Sequence, residues 1–320
     1  MAASADSVQA AGCPELAEFS LTVTPASADE PSTRELIIGC MRSPESFDTG
    51  EVGLTARDRV SSTASTGSSV YSAASDVSMA LWAYIWSCNV FLCELAVALP
   101  LQDVRVHELG AGCALGAVAA AAVGAKAVVA SDIVTAAAGA VEHSVQRNKP
   151  ATPIDYVLFD WSDEAARVRL GGSADLVLGS DVAYMAQSVP ALAAAALALL
   201  APGGAAIIVD PCRLGADGLE QALADEASRC GNATSKCYKL HNAWSPNNAA
   251  VPELRIFVVL KDCTGKLSEA AAMSELQLAV EAAVEQYMKV RCCGSLDEAL
   301  QQAGLQSSSH TLDVDTRIVG

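Results

Sequence analysis

The chain has 320 residues, 52% of them hydrophobic and 18% charged, with a formal net charge of −17. That length supports one large core with appended pieces. The acidic balance excludes wrapping nucleic acid, which needs clustered Lys and Arg, and suits a solvated surface or a basic protein partner that presents lysines. The 11 cysteines are odd in number and show no CxxC spacing, and the 4 histidines are far apart, so neither a disulfide framework nor a metal site is expected. The N-terminus, MAASADSVQAAGCPE, has no basic region followed by a long apolar core, as a signal peptide would. The most apolar windows, 113–130 and 190–202, are alanine runs broken by Gly, Lys or Pro, which argues against a membrane span. The reading is of a soluble, cytoplasmic monomer.

In chain order, residues 1–78 contain two short strand patterns, EFSLTV and RELIIGCM, followed by the polar loop VSSTASTGSSVYSAASDVS. An apolar helix is predicted at Asn89–Leu99, stopped by Pro100. Strand runs then fall at Val104–Leu109, Ala127–Ala130, Ile154–Phe159, Asp175–Gly179 and Ala205–Asp210. Helical runs lie between them at Ala114–Val123, Thr135–Arg147 and Gln187–Leu200. Short buried strands alternating with helices predict an α/β fold, a mostly parallel sheet with helices on both faces. A helix capped by Asp217 and ended by Gly231 follows, then two final strands, SKCYKL and ELRIFVVLKD, as a hairpin-like pair at the sheet edge. The main domain is expected over residues 79–262, with a helical appendage over 263–320. In that appendage Met273, Leu276, Val280, Val284, Tyr287 and Val290 make one apolar stripe. A second short helix begins at the capping box Ser295–Glu298 and stops at Gly304, and a mobile tail follows from Gln306.

The glycine turn HELGAGCALG ends a strand and opens a helix, where backbone N–H groups favour a ligand and glycine admits it to the backbone. A dinucleotide fingerprint needs G-x-G-x-x-G, and here Gly110 and Gly112 are followed by Gly116, one residue too late. Glu108 precedes the turn and would repel a pyrophosphate, but suits the amino group and cationic sulfur of S-adenosylmethionine. Asp132 closes the next strand, where a carboxylate meets ribose hydroxyls. Asp160 and Trp161 follow the third strand, on the adenine side. The indole can wall in a purine there, and the carboxylate can accept from its amine. Ser180, Asp181 and Tyr184 end the fourth strand, on the ligand-binding edge of such sheets.

The segments WAYIWSCNVFLCELA, HELGAGCALGAVAAAAVGA, ASD, FDWSD and GSDVAY together resemble methyltransferase family 16, over roughly residues 81–261. The resemblance implies a seven-stranded Rossmann-like sheet with an antiparallel last strand, S-adenosylmethionine as methyl donor and a protein lysine as acceptor. It implies that Trp86 lines the cofactor pocket, that Gly110, Ala111 and Gly112 form the cofactor turn, and that Asp132 binds the ribose. It places Trp161 beside the adenine and Ser180 before a D-x-x-Y motif, here Asp181 to Tyr184, whose acid and phenol are expected to hold the acceptor amine. Ala114 stands where many members have glycine. WAxxW and the Asp-Pro-x-Arg segment DPCR are similar to the branch that methylates the electron-transfer flavoprotein β-subunit. A nicotinamide dehydrogenase, a methyltransferase acting on a small molecule or on arginine, and a catalytically silent binding module remain as alternatives.

Overall fold

The computed structural model describes residues 16–23, 34–41, 81–212, 216–245, 249–262 and 273–302. The predicted polar loop, the stop at Gly304 and the tail from Gln306 lie outside these. β1 (Leu16–Val23) and β2 (Arg34–Met41) pair antiparallel as a separate two-stranded ribbon. Then α1 (Ser87–Val97), β3 (Arg105–Leu109), α2 (Leu115–Ala122), β4 (Ala127–Asp132), α3 (Ala137–Asn148) and β5 (Ile154–Leu158) follow. They are succeeded by α4 (Glu164–Leu170), β6 (Ala174–Ser180), α5 (Val189–Leu199) and β7 (Leu200–Pro211). The remaining elements are α6 (Ala216–Cys230), β8 (Ala233–Ser245), β9 (Ala249–Lys261), α7 (Glu275–Arg291) and α8 (Leu296–Gln302).

Seven strands form one sheet in the order β5-β4-β3-β6-β7-β9-β8. The first five run parallel, and β9 is antiparallel to both neighbours. This is the expected α/β, Rossmann-like seven-stranded sheet. The last two strands are longer than their sequence patterns suggested. Of these two, β8 alone lies at an edge of the sheet, because β9 inserts between it and β7. The strand order reverses between β3 and β6, and in open parallel sheets a ligand crevice opens at that point, outside the carboxyl ends of the strands. The glycine turn follows β3, and the D-x-x-Y turn follows β6.

Alternation along the strands divides the core between the two faces of the sheet. Val106, Leu176, Leu178, Ile207 and Val209 pack with α1, α2 and α7 on one face, while Val177, Ala206 and Ile208 pack with α5 and α6 on the other. The alanine-rich sequences of α2 and α5 favour helix and let both helices lie close to the sheet. Leu21, Leu36 and Ile38 of the ribbon join the first core, and Asn148 at the end of α3 bonds the backbone of Ile37 from both its amide atoms.

The apolar stripe of α7 packs on the same core, with Val280 and Val284 fully buried. Its capping residues dock too: Ser274 donates to Gly203 O (2.7 Å), and Gln277 donates to Gly204 O (3.0 Å) and Lys261 O (2.8 Å). The predicted stripe member Val290 lies outside this contact and is exposed.

Two expectations are corrected. The crossover from β5 to β6 contains α4, which the sequence pattern did not suggest because only Ala166 of its seven residues is buried. Asp217 is inside α6, which already begins at Ala216, so it is not the cap. Gly231 does end that helix, at φ +69°, with its N–H on Ala227 O (3.0 Å). No helix among the described residues is long and apolar enough to cross a membrane.

Candidate active site

The glycine turn leaves β3 through left-handed backbone at Gly110 (φ +59°) and Gly112 (φ +50°). A Cβ on Gly110 would lie 2.7 Å from Val182 and 3.1 Å from the Trp161 indole, and one on Gly112 would lie 2.6 Å from Trp82 O. Both glycines are therefore required by backbone angle and by neighbours together. The same contacts tie the turn to the post-β5 indole, to the D-x-x-Y turn and to the segment before α1. Cys113 Sγ also reaches Trp82 O (3.4 Å), and Ala111 N donates to Ser131 O (2.9 Å).

Asp132 is 9% exposed, and its carboxylate holds the turn open from behind. Oδ2 accepts from Gly112 N (2.9 Å) and Oδ1 from Val134 N (3.1 Å). Burial pushes its pKa up, against these bonds. With Ile133 N also bonded to it, the carboxylate takes three backbone donors and keeps acceptor capacity for a hydroxyl. Asp160 is exposed and accepts from the N–H and hydroxyl of Ser162, so that its side chain closes a short turn ahead of the half-buried Trp161. The main-chain carbonyl of Trp161 is held by Arg167 from α4.

Glu108 has a different role from the one expected. It is 1% exposed and faces α2: Oε1 accepts from Gly116 N (3.2 Å) and Oε2 from Ala117 N (2.7 Å). The helix has no side-chain cap at its own N-cap residue, Ala114, so Glu108 supplies one from the strand. A Cβ on Gly116 would sit 2.7 Å from Glu108 Oε1, which accounts for the late third glycine: it makes room for the carboxylate. Burial raises the Glu108 pKa to about 7, and burial lowers that of its neighbour His107 to about 4.

At the end of β6, Ser180 is buried and Asp181 is 8% exposed, in the left-handed region at φ +54°. A non-glycine residue held there costs energy that the surrounding structure must over-determine, and such positions cluster at functional sites. The turn is fixed by Asp181 N on Val209 O (2.9 Å) and by Ala183 N on Asp210 Oδ2 (3.1 Å). Tyr184, three residues on, is 47% exposed. Trp86 is half-buried at the start of α1, edge-on to Tyr84 with ring centroids 6.3 Å apart.

Sequence reasoning missed two supporting residues. Asn89 lies on α1 and bonds both Trp86 and Ser180. Asp210, fully buried, holds the D-x-x-Y turn. An acid closing the apolar run AAIIVD is the signal by which Asp210 could have been found. Asn89 gave none, since an amide three residues into a helix is unremarkable.

The residues fit S-adenosylmethionine. Bare glycine backbone, a carboxylate with spare acceptor capacity and an indole wall stand at the carboxyl ends of β3, β4 and β5. Asp132, Asp160 and Asp181 give this rim three acids, which suit a cationic sulfonium and disfavour a pyrophosphate. Among the described residues, Tyr84 Oη and Ser87 Oγ on the adjoining segment are buried without a protein hydrogen bond, donors left over for water or a ligand. No group of three or more His, Cys, Asp or Glu among the described residues could hold a metal ion.

Similar solved structures include SMU.776, assigned as a methyltransferase and complexed with SAH (15% identity over 55% of this chain and 50% of that one, TM-score 0.45). A ribosomal protein L11 methylase from Lactobacillus delbrueckii subsp. bulgaricus has 20% identity over 54% of this chain and 77% of its own, TM-score 0.40. A precorrin-6y C5,15-methyltransferase from Geobacter metallireducens GS-15 has 14% identity over 54% and 88%, TM-score 0.39. The chain spans about half the length of the first of these. No curated protein sequence matches it. The model of one family, described as lysine methyltransferase, matches residues 54–213, half of the chain and the part that carries the glycine turn, Asp132, Trp161 and the D-x-x-Y turn. The chain belongs to that lysine methyltransferase family.

Proposed function

We propose that the chain transfers a methyl group from S-adenosylmethionine to a lysine side chain of another protein, acting as a monomer. The observation that carries this reading is the turn after β6, where an acid on left-handed backbone and a half-exposed tyrosine stand beside the glycine turn. Family membership and the acidic rim support it, since both the sulfonium and a lysine-bearing partner are cationic.

When bound, S-adenosylmethionine supplies a methyl on cationic sulfur; a nitrogen–carbon bond forms as the sulfur–carbon bond breaks, and its electron pair stays on sulfur as S-adenosylhomocysteine. The amine must arrive neutral, although a free lysine titrates near 10.4. Desolvation in the cleft lowers that value and releases the proton to solvent. The Asp181 carboxylate accepts the remaining N–H bonds and so aims the nitrogen lone pair, while the Tyr184 ring borders the entry. Orientation supplies much of the acceleration, because the leaving thioether is already activated.

The test is transfer of labelled methyl from S-adenosylmethionine into a cell lysate, followed by acid hydrolysis. Label is expected in methylated lysine from protein. Label confined to methylarginine, RNA or small molecules would overturn the lysine assignment.

A further inference from the structure

Asn89 bridges two segments that border the cleft. It sits one turn into α1, 9% exposed, and both ends of its amide are committed. Oδ1 accepts from Trp86 N (2.7 Å), and Nδ2 donates to Ser180 Oγ. Ser180 is 5% exposed and directly precedes Asp181. The bond therefore joins the entry to α1 with the carboxyl end of β6, residues 91 apart in sequence that border the same crevice.

We infer that Asn89 is a positioning residue for the cofactor cleft: by holding the Trp86 backbone and the Ser180 hydroxyl in one hydrogen-bonded bridge, it pre-sets the separation of the two walls between which S-adenosylmethionine binds. The inference rests on the reading of this crevice as the cofactor site. Its physical content is pre-organisation. A hydroxyl and a helix start that are already fixed need not be ordered when ligand arrives, so the entropy cost is met during folding and not during binding. An amide suits the bridge, since it offers an acceptor to an N–H and a donor to a hydroxyl from one planar end. Leucine has the same size and neither function. Aspartate restores the bridge, because its second oxygen can accept from the Ser180 hydroxyl once that rotor turns.

The experiment is titration of the full-length wild type, Asn89→Leu and Asn89→Asp with S-adenosylhomocysteine, at a temperature well below each melting point, with the melting points recorded alongside. Asn89→Leu is expected to weaken binding about tenfold, the size of one lost hydrogen bond. Asn89→Asp is expected to recover most of it. A purely structural asparagine would lower the melting temperature of Asn89→Leu while leaving the dissociation constant of the folded protein unchanged, and a constant within twofold of wild type overturns the inference. If Asn89→Leu does not fold, Asn89→Ser, too short to span both partners, carries the same comparison. Failure of the wild type itself to take up S-adenosylhomocysteine overturns the cleft assignment and this inference with it. Binding by the wild type with an unaffected variant overturns this inference alone.

Discussion

Ala114 is the N-cap of α2 and stands at φ +58° and ψ +40°, fully buried. An L-residue in left-handed backbone costs roughly 1–2 kcal/mol, and alanine is a poor N-cap. Ala114→Gly removes both penalties but gives the unfolded chain more freedom. The expected net gain is about 0.5–1 kcal/mol, measured by urea denaturation; a loss would contradict this account of the turn.

In the same capping network, Glu108 links stability to pH. An ordinary glutamate ionises near 4.5, whereas burial holds Glu108 near 7. The folded state thus keeps the proton that the unfolded state releases. The resulting stabilisation is fully present below pH 4.5 and is lost as the pH rises to about 7. His107 slopes the other way. Its pKa is lowered from 6.5 to about 4, so its contribution is present above pH 6.5 and is lost as the pH falls through 4. Glu108→Gln removes the first slope alone, so the stability gap between wild type and variant should be larger at pH 5 than at pH 7.5. Equal gaps at the two values would remove Glu108 from the linkage. Glu108 was identified from sequence as a functional acid, yet its direction was not legible. The letters place it beside the turn, and only packing turns it toward α2 and not the cleft.

At the scale of elements, α1 and α7 are joined through Glu94. Its two oxygens take the Ser245 hydroxyl and the Tyr287 phenol (2.7 Å), with Arg291 Nε 3.3 Å away. The Arg291 guanidinium in turn lies over the Trp244 ring at 5.0 Å. The strong carboxylate contact is half the joint, and the apolar stripe is the other half. Val284→Ala should cost about 2 kcal/mol through lost burial and the void left behind. Glu285→Ala, on the exposed face one residue on, should stay within about 0.5 kcal/mol. Equal effects in denaturant melts would mean that α7 is not seated as described.

The central strands β6 and β7 were legible because they are buried on both faces and read as apolar runs, and most helices because alanine-rich or periodic segments fall between the strands. The exceptions have physical causes. α4 buries one residue and has no periodicity to read. β7 is extended by Leu200 and Ala201, residues that look helical and are recruited only by their neighbours in the sheet. The candidate site was legible where residue type and strand-end position coincide, as at Gly110, Gly112, Asp132 and Asp181. It was not legible where a residue acts by bridging distant segments, as Asn89 does.

At the scale of the molecule, three strand ends are held in one arrangement, so the catalytic role proposed for one of them must be separable from stability. Asp181→Asn keeps the left-handed turn, which asparagine tolerates, and removes the charge. If the proposed role is right, methyl transfer should fall about a hundredfold, roughly 3 kcal/mol in the barrier, with S-adenosylhomocysteine affinity within about tenfold. Tyr184→Phe should do less, since the ring remains. A lowered melting temperature with near-normal turnover would make Asp181 a turn-former only.

The insertion of β9 between β7 and β8 governs how the chain can be assembled on a ribosome. Synthesis delivers β7 and then β8, but β8 has no neighbour until β9 emerges, and β7 keeps a bare edge of unpaired amides through the same interval. At about 5–20 residues per second that interval lasts several seconds, with an apolar edge open to pairing with any other strand. A nascent chain halted before residue 249 therefore carries every side chain of the proposed catalytic turn on a sheet that cannot close, and is the form most in need of a chaperone.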